Sequence, residues 1–221
     1  MKMTKKHTPA TCLNPFFALT LISCACLLWP AQSTNAAVKH GNPKKTRMLY
    51  VPLVPKPTDP AYSGSTPVNP AKLFIDVVDA RENKDEIGQN TEEDNKPPVK
   101  VLVDEGDTPV QFVQKLVTKQ CQDLALPVAP TPAAAERIVS LKLNRFWAEE
   151  SPSYVGSVRM AAEVKDADGK VLWRGSAAGD NKKFGRSLST ENYRECLTDS
   201  TQGAINQLFG EPGFQAAIAK K

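Results

Sequence analysis

The stretch from residue 138 to residue 179, in which apolar and polar residues alternate, constrains the fold of this chain more than any other feature. Its clearest apolar positions are Val158, Met160 and Ala162. Alternation with a period of two is typical of a half-buried β-strand. The turn-forming run Asp-Ala-Asp-Gly-Lys at 166–170 interrupts the pattern, and β-prone residues resume at Val171. The stretch therefore predicts a long hairpin that follows a strand at 138–147.

More strands are predicted before this hairpin. Runs of β-branched and aromatic residues at 72–79 and 99–103 are typical of strands, and the charged residues at 81–98 predict a mobile loop between them. Closely spaced prolines favour an extended arm over 37–71, which is either a spacer or a docking segment. The apolar run 48–54 inside this arm is either a partner-docking anchor or an edge strand.

Two helices are predicted from their start signals and apolar stripes. Thr108 can cap a first helix that begins at Pro109, and Gln111 completes a capping box. Apolar residues recur along this helix at helical spacing, at Val110, Val113, Val117, Cys121 and Leu124. A second helix is predicted to begin within residues 187–190 and to end at Gly210.

Together these elements predict a single α+β domain over residues 72–221. Their order, β-β-α-β-β-β-α, predicts a mostly antiparallel sheet with both helices packed on one face. A domain of about 150 residues is large enough to bury one core.

Residues 1–36 have the three regions of a secretory signal. The lysines at positions 2, 5 and 6 precede an apolar segment at 16–29, which is shorter than the ~20 residues that a membrane-spanning helix needs. The domain is therefore expected to be exported, to the periplasm or to the periplasmic face of the outer membrane.

Two processing sites fit this signal. Ordinary signal peptidase would cut after Ala36, and the mature chain would begin at Ala37. The run Leu-Ile-Ser-Cys at 21–24 instead resembles a lipobox, which would remove residues 1–23 and lipidate Cys24. The residues alone leave both routes open, because the segment after Cys24 stays apolar rather than turning polar.

The signal accounts for most of the net charge. The chain has 28 Lys and Arg against 24 Asp and Glu, and removing the three signal lysines leaves 25 basic residues. A nearly neutral domain without a concentrated basic face predicts no nucleic-acid partner.

The expected mature chain offers little support for catalysis. Its single histidine, His40, lies in the proline-rich arm, which argues against histidine-based catalysis and a zinc site. Glu149 and Glu150 resemble the carboxylates of a glycan-cleaving enzyme, but neighbours on a strand point to opposite faces. No enzymatic activity, metal or other cofactor is therefore expected.

Aromatic residues and cysteines supply the remaining candidates. Trp147, Tyr154 and Trp173 are candidates for a ligand or partner surface, and core packing is the alternative for each. Cys121 lies on the apolar stripe of the first helix and Cys196 on the second helix. A disulfide between them is predicted if the two helices share a face of the sheet.

Several runs together resemble the YajG-type bacterial lipoproteins: residues 141–147, 154–158, 162–169 and 172–175, and the second helix from Asn192. The resemblance covers about residues 73–209 and implies an early strand, a helix, a three-strand meander and a second helix. It also favours lipidation at Cys24, although the lipobox lies within a longer apolar segment here. The family supplies no catalytic residues.

The expected function is that of a non-enzymatic accessory protein of the bacterial cell envelope that binds an envelope protein or a membrane component. An auxiliary lipoprotein of an ABC-type envelope transporter is the alternative. A glycan-processing enzyme is a third hypothesis.

Overall fold

The structure is a computed structural model that describes residues 47–55, 62, 64–92, 96–185 and 187–220. Within these residues the chain forms a seven-stranded sheet, three α-helices and one 3₁₀ turn. The strands are β1 (Met48–Val51), β2 (Leu73–Asp79), β3 (Glu86–Asn90), β4 (Val99–Val103), β5 (Arg137–Glu150), β6 (Ser153–Asp166) and β7 (Val171–Phe184). The helices are α1 (Pro109–Asp123), α2 (Thr190–Gly210) and α3 (Pro212–Ile218), and the 3₁₀ turn is Pro132–Ala134.

The sheet is built around β5, which has pairing partners along both edges. β5 pairs antiparallel with β6 over its whole length, and β6 pairs antiparallel with β7. Two strands share the other edge of β5: β2 runs parallel to its first half and β3 parallel to its end. β4 then pairs antiparallel with β3, and β1 pairs parallel with β4 at the margin of the sheet.

The predicted hairpin is present as β6 and β7. Asp166 holds the turn, because its Oδ1 accepts hydrogen bonds from the amides of Asp168 (3.1 Å) and Lys170 (2.9 Å). Gly169 has a φ of +83°, in the left-handed region that favours glycine. The turn residues recognised in the sequence therefore determine where the chain reverses.

The prediction of a mostly antiparallel sheet is wrong, because the sheet is mixed. The pairs β1 with β4, β2 with β5, and β3 with β5 are all parallel. After β2, the chain passes through β3, β4 and α1 and then enters β5 in the same direction as β2. The predicted order of elements also lacks β1 and β3.

The missing strand β3 lies inside the segment that was expected to be a mobile loop. It contains one β-branched residue, Ile87, whose side chain is fully buried. Gly88 lets this backbone approach β5, since a Cβ there would lie 2.0 Å from the carbonyl oxygen of Ala148. Packing rather than strand propensity makes this segment a strand. The other missing strand, β1, shows that the apolar run at 48–54 begins with an edge strand.

Both predicted helices are present, and they pack on the same face of the sheet. Thr108 caps α1, because its Oγ1 accepts a hydrogen bond from the amide of Gln111 (3.1 Å), and Ser189 caps α2 in the same way. The helices meet where Nε2 of Gln202 donates a hydrogen bond to Oε1 of Gln120 (2.9 Å). Residues at the helix starts therefore match the signals in the sequence.

The core lies between this sheet face and the helices. Its side chains include Val139, Leu141, Leu143 and Phe146 of β5, Val158, Met160 and Val164 of β6, and Phe112, Tyr193, Leu197 and Leu208 of the helices. Phe112 meets Phe146 edge to face, with 5.6 Å between ring centroids. In the described part of the chain, no helix packs on the opposite face of the sheet.

Glycines let α2 pack closely against the strands beneath it. A Cβ at Gly179 of β7 would lie 1.9 Å from the carbonyl oxygen of Ser200 and 2.5 Å from the amide nitrogen of Ala204. A Cβ at Gly156 of β6 would lie 2.4 Å from Oγ of Ser200. Because most of these contacts are with helix backbone, any larger residue would displace α2.

We predict that Gly179→Ala lowers the free energy of unfolding by about 1–3 kcal/mol, because the added methyl group overpacks the contact with α2. Urea denaturation followed by far-UV circular dichroism measures the change. Ser176→Ala, an exposed position on the same strand, is the matched control and is expected to change stability by less than about 0.5 kcal/mol. Equal stability of the two variants would contradict close packing at Gly179.

Candidate ligand-binding surface

The sheet face without helices, called the open face, is a polar surface shared by all four long strands on that side. Its side chains include Asp76 and Val78 of β2, Lys142, Arg145, Trp147 and Glu149 of β5, Ser157, Arg159, Ala161 and Glu163 of β6, and Arg174, Ser176 and Asp180 of β7. Strand register places these residues in rows across the sheet. The fold therefore positions the side chains of the open face relative to one another.

Ion pairs order much of the open face. Nη2 of Arg159 donates to both carboxylate oxygens of Asp180 (2.9 and 2.8 Å), and this hydrogen bonding lowers the pKa of Asp180. Glu163 binds Lys165 (2.7 Å) and also Arg174, and hydrogen bonds first from Lys165 and then from Arg174 lower the pKa of Glu163. Exposed pairs of this kind add little stability, so their main effect is to hold charged groups in place.

A break in strand pairing opens a cleft in one part of the open face. β2 pairs with β5 as far as Leu143, whereas β3 joins β5 only at Ala148. In this interval a bulge inserts Asn144 before Arg145, and both side chains are exposed. The resulting Trp147 cleft has a volume of about 360 Å³, and its lining includes Arg81, Glu82, Asn83, Asn144, Arg145 and Trp147.

Arg81 fixes the wall of the Trp147 cleft. Its buried guanidinium donates to both carboxylate oxygens of Asp79 (2.9 and 2.8 Å) and to the carbonyl oxygens of Lys84 (2.9 Å) and Glu86 (3.0 Å). Burial raises the pKa of Asp79, but the hydrogen bonds and charge of Arg81 outweigh this effect and leave the pKa below its ordinary value. The loop between β2 and β3 is therefore held in one shape by charge-assisted hydrogen bonds.

The structure does not bring the three aromatic candidates together. Trp147 is half-buried and lines the cleft. Tyr154 lies fully buried in the core, where its ring packs edge to face on Tyr193 with 5.0 Å between centroids. Trp173 packs edge to face on Phe214 of α3, at 5.5 Å. Of the three, Tyr154 and Trp173 serve packing, and Trp147 lies at an accessible site.

Glu149 and Glu150 lie on opposite faces of the sheet. Glu150 is fully buried, and its carboxylate accepts hydrogen bonds from the amide of Leu188 (3.1 Å) and the hydroxyl of Tyr193 (3.3 Å). Burial of the Tyr193 side chain raises its pKa, and the negative charge of Glu150 raises it further. The Tyr193 hydroxyl therefore stays protonated and can donate a hydrogen bond. Glu149 instead accepts a hydrogen bond from Nε2 of Gln89 (3.2 Å). The two carboxylates therefore do not face a common substrate position.

Cys121 and Cys196 are free, buried thiols, and the structure does not join them. α1 and α2 meet at Gln120 and Gln202, and Gln202 lies a rise of about 9 Å beyond Cys196 along α2. The Sγ of Cys196 donates instead to the carbonyl oxygen of Asn181 in β7 (3.7 Å). Sharing a sheet face is therefore not enough to bring the thiols together.

Two residues singled out in the sequence, Cys24 and His40, lie outside the described residues. Across the described ranges, no three His, Cys, Asp or Glu side chains are grouped so that they could hold a metal ion. In the same part of the chain, no helix has the length and apolar character needed to cross a membrane.

Comparison with solved structures relates this fold to a bacterial protein. Protein XCC0632 from Xanthomonas campestris, described by the family model DUF330, has a TM-score of 0.50 and 12% sequence identity over 76% of this chain and 96% of that chain. The chain resembles XCC0632 in fold. Lipoprotein GNA1162 from Neisseria meningitidis has a TM-score of 0.34 and 11% identity over 53% of this chain and 88% of that chain. No family model and no curated protein matches the sequence.

Sequence reasoning missed the other residues that shape the Trp147 cleft. Asn144 and Arg145 are consecutive polar residues in a strand that otherwise alternates, and this interruption is the signal of a bulge. Arg81 has no comparable signal, because it is one of many charged residues in its segment, and only the folded loop brings the carbonyl groups of Lys84 and Glu86 to its guanidinium.

We predict that neither thiol of the folded chain beginning at Ala37 reacts with a thiol reagent at pH 8, because burial raises the pKa of Cys121 and of Cys196 to about 12. In denaturant without reductant, two thiols are expected to react in an absorbance titration. A titration that finds none in denaturant would restore the disulfide and contradict the separation of the two cysteines. Cys121→Ser should reduce the count to one.

Proposed function

We propose that this chain is a non-enzymatic accessory protein of the cell envelope, of the YajG-like lipoprotein type, that binds another envelope component through the open face. The observation that carries the proposal is the asymmetry of the sheet. Helices bury one face, whereas the other presents rows of ordered side chains to solvent across β2, β5, β6 and β7. Such a face is a ready platform for a partner.

The chemistry of the open face indicates a polar partner surface. Charged residues of both signs are already paired there, as between Arg159 and Asp180. The exposed apolar side chains are few and scattered, with Val78 49% exposed and Val155 43% exposed. Obligate interfaces are more apolar than this, so a reversible complex with a polar rim is the better match.

The arrangement of carboxylates favours binding over glycan hydrolysis. A glycosidase places two carboxyl groups about 5–9.5 Å apart on either side of one bond. Glu150 is buried and its oxygens accept from Leu188 and Tyr193, while Glu149 lies on the opposite side of the sheet. The two carboxylates therefore cannot act together on one glycosidic bond.

The export signal supports the envelope location in this proposal. Either processing route, at Ala36 or at Cys24, delivers the folded domain outside the cytoplasm. The YajG-like resemblance adds support for the second route, in which Cys24 is lipidated and anchors the domain to a membrane. The alternative, an auxiliary lipoprotein of an ABC-type transporter, shares this anchor and differs in the partner.

We predict that the chain incorporates labelled palmitate in a bacterial host, and that Cys24→Ala abolishes the label. Cys26→Ala, two residues away in the same apolar segment, is the matched control and should keep it. Autoradiography after immunoprecipitation measures both. An unlabelled wild-type chain whose N-terminus is Ala37 would overturn the lipoprotein part of the proposal.

We predict that a photo-crosslinking amino acid at Lys142, on the open face, forms an adduct with an envelope component in intact cells. The same amino acid at Lys115, exposed on α1, is the control and should yield at least fivefold less adduct. Immunoblotting measures the adducts and mass spectrometry identifies the partner. A transporter subunit would select the alternative function, and equal labelling at both positions would refute docking through the open face.

A further inference from the structure

We infer that the Trp147 cleft binds a saccharide, with one sugar ring stacked on the indole of Trp147 and an acidic group of the sugar paired with Arg145. This inference rests on the proposed binding function and adds a chemical class of ligand. It concerns the cleft at the break between β2 and β3, which occupies one part of the open face.

The cleft is formed before any ligand arrives. Arg81 holds its wall through Asp79 and the carbonyl oxygens of Lys84 and Glu86. Oδ1 of Asn83 also accepts hydrogen bonds from the amides of Asp85 (3.1 Å) and Glu86 (3.3 Å). A site that is already ordered avoids the entropy loss of closing a mobile loop around its ligand.

The size of the cleft matches a small ring rather than a protein segment. Its volume of about 360 Å³ lies at the lower end of the range of about 300–1,000 Å³ found for ligand pockets. The bulge limits it on one side and β3 on the other, since β3 rejoins β5 at Ala148. A concave site of this size holds one or two sugar rings of a longer chain.

Trp147 supplies the stacking surface. Its side chain is half-buried at the cleft, whereas the other large aromatic residue of this sheet region, Phe146, is buried in the core. The flat face of an indole packs well against the C–H groups on one face of a sugar ring, because the ring π-system carries partial negative charge. The half-buried position leaves part of the indole exposed where it lines the cleft.

Planar polar side chains surround this indole, as recognition of sugar hydroxyl groups requires. Asn144 carries an amide that donates and accepts hydrogen bonds, Asn83 retains its amide N–H donors, Arg145 donates, and Glu82 accepts. The bulge is what makes Asn144 and Arg145 both exposed, since in a regular strand one of two neighbours would face the core.

Arg145 gives the cleft a preference for an acidic sugar. Strand register places Arg145 directly opposite Arg159, and like charges at such positions repel one another. Asp180 is hydrogen-bonded to Arg159, whereas it acts on Arg145 only through longer-range charge attraction, which leaves the exposed Arg145 guanidinium accessible to a ligand. A carboxylate on the ligand would form the bidentate pair that a guanidinium favours.

The test is isothermal titration calorimetry on the exported protein purified from the envelope fraction, with trigalacturonate as the acidic probe. Its fully methyl-esterified form keeps the rings and removes the charge. We expect the ester to bind at least fivefold more weakly than the acid. Arg145→Gln should abolish that difference, and Trp147→Ala should lower the association constant for both probes at least tenfold.

Two further variants separate binding from folding. Trp147→Phe keeps an aromatic ring and should bind more tightly than Trp147→Ala, with thermal unfolding confirming that both variants fold. Lys115→Gln, which removes an exposed cation on α1 and not on the open face, should leave both affinities within twofold. Failure of both probes to bind, or unchanged binding in folded Trp147→Ala, would overturn the inference. Crosslinking at Lys142 that persists in that case leaves the proposed function standing.

Discussion

The backbone hydrogen bonding of β5 is the interaction on which the rest of this structure depends. One edge of the strand is satisfied along its length by β6, and the other is divided between β2 and β3. Each strand beyond these is attached through one of them, so the sheet has no route that bypasses β5. The cleft lies where β5 is paired with neither β2 nor β3, so it results directly from the way the strands pair.

The two faces of the sheet differ in that one is packed against helices and the other carries exposed polar side chains. On the covered face, Gly156 and Gly179 bring α2 against the strands, and the one buried carboxylate there, Glu150, has its oxygens hydrogen-bonded. A buried charge without partners would be costly, so this network belongs to the core. On the open face, side chains are held by surface ion pairs and remain available to a partner. The strands thus support the core on one side, and on the other side they carry the surface that we propose as the binding platform.

The elements with a strong local pattern could be predicted from the sequence. Alternation and the turn at Gly169 indicate β6 and β7, and Thr108 marks the start of α1. Even the burial of Tyr154 follows from this alternation, because it shares a face with Val158 and Met160. The direction of each strand cannot be predicted in this way, because parallel and antiparallel strands have the same period of two. β3 depends on its pairing with β5, which is distant in sequence, and the Arg81 wall depends on the conformation of a charged loop, so neither has a local signature.

The loop between β2 and β3 spans the break in pairing while contributing a single backbone hydrogen bond to β5, from Ala80 to Leu143. Residues 82–85 lie outside the ladder, so side-chain replacements there would not move any strand out of register, whereas the buried Arg81 is needed to hold the loop. The side chains that line the cleft can therefore change at this loop without a change in strand pairing.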